Sequence, residues 1–586
     1  MKRILTHSVL FLTLALLVFH LFSKDFSNPY ERPIAGDAQA YYAYLPAIFI
    51  YQDLDYEFID SINEKYYPES HQKSFLKASG DGKVNKTFPG VALLYLPFFL
   101  IAHALALLFG LEADGYSTVY QVLFDLGLWV YLFFGLMGLK KVLQLNQFST
   151  LISNLVPAIL LLGTNLFFYS VYDQSVTHVY NFFMINGFIY LLLKHKENQQ
   201  LKPLLYAAFL ISLIGITRPT NILVVGLVLF FITDFQFYKN LFRYLFKPRN
   251  VLPITTIAGC VLIIPFILWK LQTGNWIVYS YGEEGFNFDD PHLFEFIFSY
   301  LKGWWVYTPL AALIIIIGLP ILYQRCKKKF IIAIGFYFIT IYVFSSWWCW
   351  YYGSGMSQRV MIDHYILLGY LLAIILQKTN ISNCVWSLKQ TTFGLLVALF
   401  VFVNIVQAWQ IRHGILTGGS ATSTQYWDNF LVFEKQARVY PHEHWKLEAE
   451  KQIDLNPSAD FIKKGTPLLI ENHWSIEVTA WQNYSASVYL PVENLRQGSK
   501  LIFHFDSRAR TESEETRLVI ELDGQRFVFG LDQYLKKDEW VEMEFMIEPT
   551  QEIKTTPFMF FWNGGSEEKV EFKDIQVNHF FTESYL

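Results

Sequence analysis

The sequence predicts a polytopic α-helical membrane domain of about 11–13 spans, followed by an extracytoplasmic β-sandwich domain. Three observations lead to this fold class. Of the 586 residues, 53% are hydrophobic and only 16% are charged, against about 25% charged in soluble domains. The apolar residues form blocks that approach the roughly 20 residues needed to cross a bilayer. The last third instead alternates apolar and polar residues, as a half-buried strand does.

The apolar blocks give the candidate spans, and the basic residues between them give their orientation. Cytoplasmic loops carry an excess of lysine and arginine, so the N-terminus, with Lys2 and Arg3, is predicted to be cytoplasmic. The candidate spans are 4–22, 90–110, 117–139, 151–170, 180–194, 203–217, 220–233, 251–269, 305–323, 330–347, 360–377 and 391–410. The outer loops are then 23–116, 170–179, 218–220, 270–304, 348–359 and the chain after 411.

One apolar block breaks this charge pattern. If every block crossed, Lys140 and Lys141 would lie outside and all later loops would be inverted. We therefore expect 90–110, which carries Pro97 and His103, to lie at the outer interface or to re-enter. The external loop 23–116 would then contain it, leaving 11 spans, and a variant with 13 spans has the same final orientation.

The chain after the last span predicts a connector and a second domain. Residues 1–410 form the membrane domain, 411–455 a helical or irregular connector, and 456–586 the β-sandwich domain. Period-2 alternation between Asp-Gly and Asn-Gly turns is typical of antiparallel strands. The four cysteines show no metal-binding spacing and no disulfide framework. A net charge of −4 gives no indication of a nucleic-acid partner.

The first external loop contains the main candidates for chemistry. Asp37 follows Gly36, and Tyr41 and Tyr42 come next, as candidate substrate contacts. Lys86 precedes the apolar block 90–110. A carboxylate can accept a proton from a hydroxyl, and a lysine can neutralise a departing phosphate. Both residues could equally be solvated loop residues.

The later outer loops add further polar candidates. Asp173 and His178 flank a short turn and could bind a sugar, a metal or each other, or simply cap the turn. Arg218 needs an anionic partner at the membrane face, which a lipid phosphate, Asp37 or Asp173 would supply.

Two of these loops are longer or richer in glycine. The 270–304 loop offers Glu283, Glu284, Asp289 and Asp290 and is either a lid or a solvated loop. In the glycine-containing loop before residue 360, Gln358 and Arg359 could grip a phosphate or a sugar.

The order of these features resembles the GT-C glycosyltransferases, such as protein O-mannosyltransferases and the lipid A aminoarabinose transferase. The likeness lies in a first span, then a long external loop with Gly36-Asp37, and a second acidic loop at Tyr172-Asp173. The stretch from Asn85 to Gly90 looks like the lysine-then-proline segment of the aminoarabinose transferase group. The stretches 279–286 and 353–359 are similar to segments of bacterial family 39-like transferases.

The resemblance implies a GT-C fold and an inverting transferase in a bacterial inner (plasma) membrane. Its donor would be a polyprenyl-phosphate-linked sugar, and its acceptor a glycan, lipid or protein at the periplasmic face. Asp37 would be the catalytic base, and Lys86 and Arg359 would contact the phosphate, with Arg218 as a further candidate for that contact. The second acidic loop has Asp173-Gln-Ser in place of an acidic pair, so we expect no cofactor and favour a metal-independent reaction over one with a divalent metal.

Two other classes of function stay open. A transporter or flippase of lipid-linked glycans would place ionisable groups near the midplane and show repeated halves, and the sequence shows no internal repeat. A membrane-anchored carbohydrate-binding protein would not need Arg218 or Asp173. The β-domain could bind acceptor glycan, cover the site or act as a structural cap.

Overall fold

The structure is a computed structural model of the full chain, which divides into two compact units, Met1–Arg412 and His413–Leu586. It describes residues 8–26, 31–67, 75–79, 82–282, 284–379, 387–416 and 423–433. Beyond residue 450 it describes 451–454, 462–464, 468–470, 473–477, 487–489, 499–509, 516–522, 525–531, 535, 537–547, 558–563 and 569–581.

The first unit is built from helices. They are α1 (Ser8–Ser23), α2 (Asp37–Tyr42), α3 (Tyr44–Pro46), α4 (Ile59–Tyr66), α5 (Gly90–Leu108), α6 (Thr118–Leu145), α7 (Thr150–Gly163), α8 (Leu166–Val171), α9 (His178–Asn198), α10 (Leu201–Gly215), α11 (Val224–Phe231), α12 (Phe235–Leu245), α13 (Pro248–Leu262), α14 (Ile264–Thr273), α15 (Leu293–Phe298), α16 (Trp304–Tyr307), α17 (Pro309–Arg325), α18 (Lys327–Ser345), α19 (Tyr365–Lys378) and α20 (Leu388–Arg412). A π-helical turn spans Ala47–Tyr51, two 3-10 helices span Pro219–Leu223 and Arg359–His364, and a small hairpin joins β1 (Leu76–Ser79) to β2 (Gly82–Asn85).

Helices of membrane-spanning length confirm that the chain has a helical, multi-pass membrane domain. Six segments of the described chain are long and apolar enough to cross a bilayer: Gly90–Leu108, Thr118–Leu145, Pro248–Thr273, Lys327–Ser345, Arg359–Lys378 and Gln390–Arg412. Shorter apolar helices are Ser8–Ser23, Thr150–Gly163, Leu201–Gly215, Pro219–Phe231 and Pro309–Arg325. The number of spans, their orientation and the kind of membrane stay predictions.

Helix α6 packs closely against α9. Its C-terminal half runs parallel to α9, and a Cβ atom on Gly135 would lie 2.8 Å from the ring of Phe182. Glycine is needed at this position because the two backbones approach closely. Helix α19 is buried along nearly its whole length, so the 3-10 helix Arg359–His364 leads directly into the core.

Helix α5, the block predicted not to cross, runs antiparallel to the N-terminal half of α6. Tyr131 Oη donates to the Leu94 carbonyl at 2.7 Å, and His103 Nδ1 lies 2.6 Å from Tyr120 Oη. The Gly90 amide donates to the carbonyl of Ile216, just after α10. The 19 residues of α5 are long enough to span, so its course along the membrane surface stays a prediction.

The second unit contains a short helix, α21 (Ser423–Asp428), in the predicted connector, and two antiparallel sheets. The strands are β3 (Lys451–Asp454), β4 (Ile462–Lys464), β5 (Leu468–Ile470), β6 (His473–Glu477), β7 (Ser487–Tyr489), β8 (Ser499–Ala509), β9 (Thr516–Leu522), β10 (Gln525–Gly530), β11 (Val541–Ile547), β12 (Phe558–Asn563) and β13 (Lys569–Phe581). One sheet has the order β10-β9-β12-β7-β4, and the other β11-β8-β13-β6-β5 with β3 also on β13. The ring centroids of Phe529 and Phe545, from different sheets, lie 4.7 Å apart. A complete β-sandwich stays a prediction.

Candidate active site

Helix ends and polar loops of the first unit enclose a cavity of about 400 Å³. Its lining combines acidic, basic and aromatic side chains from segments far apart in the sequence. The lining residues used below are Asp37, Tyr41, Lys86, His178, Arg218, Tyr281, Glu284, Phe286, Trp347, Trp348, Tyr352 and Arg359. The cavity therefore joins the first loop to four later loops.

The most exposed carboxylate described in this lining is Asp37, the first residue of α2. Gly36 precedes it with φ 56°, a left-handed conformation that glycine adopts without steric cost. Arg359 Nη2 donates to Asp37 Oδ2 at 2.8 Å. The Asp37 side chain is 45% exposed and the Arg359 side chain 16%. The arginine therefore orients one carboxylate oxygen from the protein side, while the carboxylate stays open to the cavity.

The loop before Arg359 is held in an unusual backbone conformation. Tyr352, Gly353, Gly355 and Ser357 all have positive φ angles. At Gly355 a Cβ atom would lie 2.5 Å from the hydroxyl of Tyr169, which accepts a hydrogen bond from the Met356 amide.

Lys302 supports the same loop from the protein interior. Its buried ammonium group donates to the Gly355 carbonyl. Burial lowers the pKa of Lys302 well below its usual range, and the nearby charge of Arg359 adds to the effect. The loop conformation is thus fixed by groups that do not line the cavity.

Lys86 forms a second ion pair at the cavity wall. Its Nζ lies 3.1 Å from Glu284 Oε1, and Lys77 Nζ lies 3.4 Å from the same oxygen. Ser280 donates to the Lys86 carbonyl at 2.8 Å. Lys77 and Lys86 thus hold Glu284 against the segment that carries the two lysines.

Arg218 is arranged differently from the other two cations. Its Nη1 lies 3.0 Å from His178 Nε2, and its guanidinium carbon lies 5.7 Å from the centroid of the Tyr352 ring. His178 Nδ1 lies 2.7 Å from Asp363 Oδ1. Asp363 Oδ2 accepts from Asn181 at 3.0 Å and from Asn221 at 2.8 Å. A buried network therefore holds Arg218 from behind.

Aromatic rings form another part of the cavity wall. The ring of Trp347 packs edge-on against those of Tyr281 and Phe286, with centroids 5.7 Å and 4.7 Å away. Backbone pairing of Phe286 with Trp347 joins the two loops. Burial raises the pKa of Tyr41 far above its usual range, and the Asp37 carboxylate adds to the shift, so its hydroxyl is a neutral donor. Aromatic faces beside hydrogen-bonding groups suit a ring with one apolar face and several hydroxyls.

The structure brings together six of the residues predicted from sequence: Asp37, Tyr41, Lys86, His178, Arg218 and Arg359. Three others lie elsewhere. Tyr42 is a core residue, with its hydroxyl donating to the Gly115 carbonyl and its ring packed against aromatic neighbours. Asp173 accepts from the amide and hydroxyl of Ser175 in a local turn. Gln358 is fully buried next to Arg359 without lining the cavity, and Glu283 lies outside the described residues.

Some residues of this site were not among the predicted contacts. Glu284, named with Glu283 in the 270–304 loop but not assigned a role, lines the cavity, and Asp363, Asn181 and Asn221 complete the buried network behind Arg218. A signal was present for Asp363, because a carboxylate at the start of a membrane span needs a partner. No signal in a single sequence names His178 as that partner. Within the described part of the chain, no three His, Cys, Asp or Glu side chains are grouped as metal ligands would be.

Comparisons with known proteins add little to this geometry. Neither a protein-family model nor a curated protein matches the sequence. Among solved structures, the chain is similar to the arabinosyltransferase EmbB from Mycobacterium smegmatis, with 9% sequence identity and a TM-score of 0.34. The match covers 85% of this chain and 60% of EmbB, so the chain spans less than two thirds of that protein. A likeness of this size assigns neither the fold nor an activity.

Proposed function

We propose that the protein is an inverting GT-C-type glycosyltransferase that transfers a sugar from a polyprenyl-phosphate donor to an acceptor at the extracytoplasmic face of a bacterial inner membrane. The observation that carries the proposal is the cavity itself. It places one open carboxylate, Asp37, beside an aromatic wall and three cations, Lys86, Arg218 and Arg359. Transfer from a lipid phosphate needs a base at one end of the sugar and positive charge at the other.

In the proposed reaction, Asp37 takes the proton of the acceptor hydroxyl or amine. The acceptor atom attacks the anomeric carbon from the face opposite the phosphate, and the bond from that carbon to the phosphate oxygen breaks. The leaving group departs as polyprenyl phosphate with the bonding electron pair, and Asp37 later returns its proton to solvent. Arg218 and Lys86 stabilise the negative charge on the leaving oxygen.

Arg359 takes a different role from the one its position in the sequence suggested. Its Nη2 contacts Asp37 Oδ2, so we assign it to orienting the base. Contact between Arg359 and the phosphate stays a prediction that this ion pair does not require.

The apolar surface near the cavity suits a lipid substrate. Trp348 lines the cavity and is 56% exposed, and Trp276 and Ile277, in the segment that precedes the lining residue Val278, are also exposed. We propose that the polyprenyl chain enters from the bilayer past these residues. The C-terminal unit would bind acceptor glycan, cover the site or serve as a structural cap.

The test is release of polyprenyl phosphate by the full chain in lipid nanodiscs. Donors are a panel of polyprenyl-phosphate hexoses and pentoses, and a bacterial membrane extract supplies acceptors. Asp37→Asn should slow release by roughly 10²- to 10⁴-fold, the usual contribution of a general base. Asp234→Asn is the matched control, because Asp234 caps α12 away from the cavity and asparagine caps equally well.

Two results would reject the proposal. Full activity of Asp37→Asn would remove the base assignment. Movement of the lipid-linked sugar across the bilayer of vesicles without release of polyprenyl phosphate would instead identify a transporter.

A further inference from the structure

The three cations of the cavity differ in what holds them. Lys86 and Arg359 each contact a carboxylate, Glu284 and Asp37. Among the described residues, no carboxylate forms an ion pair with Arg218, whose contacts are the His178 ring nitrogen and the Tyr352 ring. Among the described residues, Arg218 is thus the cation of this cavity that no carboxylate contacts directly.

The hydrogen bonds around His178 fix its protonation state. A guanidinium group can only donate, so His178 Nε2 must accept from Arg218 through its lone pair. The single hydrogen of the neutral imidazole is therefore on Nδ1, where it is donated to Asp363 Oδ1. Asp363 in turn is held by three donors, one from His178 and two from asparagines. His178, Asp363 and both asparagines are at most 1% exposed.

A neutral acceptor has a consequence that a carboxylate would not have. A carboxylate in contact with Arg218 would compete directly with an anion for the guanidinium group, whereas the neutral imidazole orients Arg218 and the ionised Asp363 acts on it only from behind His178. His178 and Asn181 belong to α9, Asn221 to the 3-10 helix Pro219–Leu223, and Asp363 to the 3-10 helix Arg359–His364. The last helix carries both Arg359, which orients Asp37, and Asp363, which orients His178. One short helix therefore sets the geometry at both ends of the proposed reaction.

We propose that His178 is a positioning residue that aims Arg218 at the phosphate group of the lipid donor, with Asp363 holding His178 in the required tautomer. The identity of the ligand rests on the proposed function. The contacts among Arg218, His178 and Asp363 are observed independently of it. This assigns to His178 a role through Arg218 in place of the direct substrate contact that its loop position suggested.

The experiment measures direct binding of polyprenyl phosphate to the full chain in nanodiscs, with the uncharged polyprenol as the matched ligand. Arg218→Gln should weaken polyprenyl-phosphate binding roughly 10- to 100-fold, as expected for a lost hydrogen bond to a charged group. It should leave polyprenol binding unchanged. Arg325→Gln is the control, because Arg325 lies at the exposed end of α17 and donates to the side-chain oxygen Oε1 of Gln377.

Two amide replacements of His178 separate positioning from simple folding. A glutamine reaches the position of Nε2 and can still accept from Arg218, whereas the shorter asparagine reaches only the position of Nδ1. His178→Gln should therefore bind polyprenyl phosphate within about twofold of the wild type, and His178→Asn about tenfold more weakly. In the Arg218→Gln background, His178→Asn should cause no further loss.

The outcomes keep this inference distinct from the transferase proposal. Equal losses for His178→Gln and His178→Asn, or a further loss in the Arg218→Gln background, would overturn the positioning role. Binding that follows this pattern in a protein that releases no polyprenyl phosphate would reject the transferase and retain the phosphate subsite. Unchanged binding in Arg218→Gln would remove the subsite, whatever the activity.

Discussion

Two buried histidine–carboxylate pairs in the first unit use the same residue types and reach different protonation states. His178 and Asp363 lie beside the cavity, with 2.7 Å between Nδ1 and Oδ1. His20 of α1 and Asp125 of α6 lie outside the cavity lining, with 2.5 Å between Nε2 and Oδ2. The third partner differs: the first imidazole meets a guanidinium donor, and the second meets the Val171 carbonyl, an acceptor, at 2.7 Å.

The third partner decides where the protons lie. His20 lies between two acceptor groups, so each of its two hydrogen bonds needs its own hydrogen. Either the ring is an imidazolium that donates to both groups, or Asp125 is a carboxylic acid that donates to Nε2. His178 stands between a donor and an acceptor, so its ring is neutral and Asp363 is ionised. The His20 pair therefore holds one more proton and joins helices without a net charge, whereas the His178 pair presents a lone pair to Arg218. The difference teaches that a His–Asp pair has no role until its third contact is known.

The largest effect is expected where one half of the His20 pair is removed. His20→Phe leaves Asp125 buried without its partner and should lower the free energy of unfolding by about 3–5 kcal/mol. The double variant His20→Phe/Asp125→Leu should recover much of that loss, because it removes the second polar group as well. Denaturation in mixed detergent micelles measures both. Polyprenyl-phosphate affinity of the folded fraction should not change, and a loss of affinity at unchanged stability would contradict the assignment of this pair to helix packing.

The two aspartates should respond differently to the same isosteric change. In Asp125→Asn the new amide can donate to His20 Nε2 while the neutral ring donates to Val171, so this change should cost less than about 1 kcal/mol. In Asp363→Asn a single amide oxygen is left for three buried donors, so this change should cost about 1–3 kcal/mol. The same denaturation experiment compares them. Equal costs, or the reverse order, would show that the protonation states deduced from the contacts are wrong.

The smallest expected effect concerns a cavity cation that does have a carboxylate. Glu284 occupies the Lys86 ammonium, so a phosphate must compete with it. Glu284→Gln should therefore tighten polyprenyl-phosphate binding by about two- to fivefold, as expected for a partly exposed ion pair. The control is Glu197→Gln, which breaks the exposed Lys194–Glu197 pair on α9. Weaker binding in Glu284→Gln would mean that Glu284 helps to position Lys86.

The sequence was most informative about long-range order and least informative about individual contacts. Hydrophobic blocks and basic loops predicted the helices and assigned Asp37, Lys86, Arg218 and Arg359 to outer loops, and all four line one cavity. The pairing of Arg359 with Asp37 joins residues 322 positions apart. Such a pairing depends on the rotation and depth of several helices, which hydropathy does not encode.

Two tyrosines and two aspartates also show that the sequence indicates the kind of surroundings a residue needs without naming its contacts. Tyr41 and Tyr42 are adjacent in α2, so they point to different sides of the helix: one lines the cavity and the other enters the core. A run of tyrosines predicts an aromatic surface without indicating which ring faces it. Asp125 and Asp363 both require a partner in a membrane domain, but the partner of each is a histidine more than 100 residues away.

The most direct test of the account is a structure of the full chain in nanodiscs with bound polyprenyl phosphate. The phosphate should lie in the cavity, within hydrogen-bond distance of the Arg218 guanidinium, with Lys86 beside it and Asp37 across the space left for the sugar. His178 should keep its contact with Arg218 in the bound state. A phosphate bound at another face of the membrane domain, or a cavity that stays empty at saturating lipid, would contradict it.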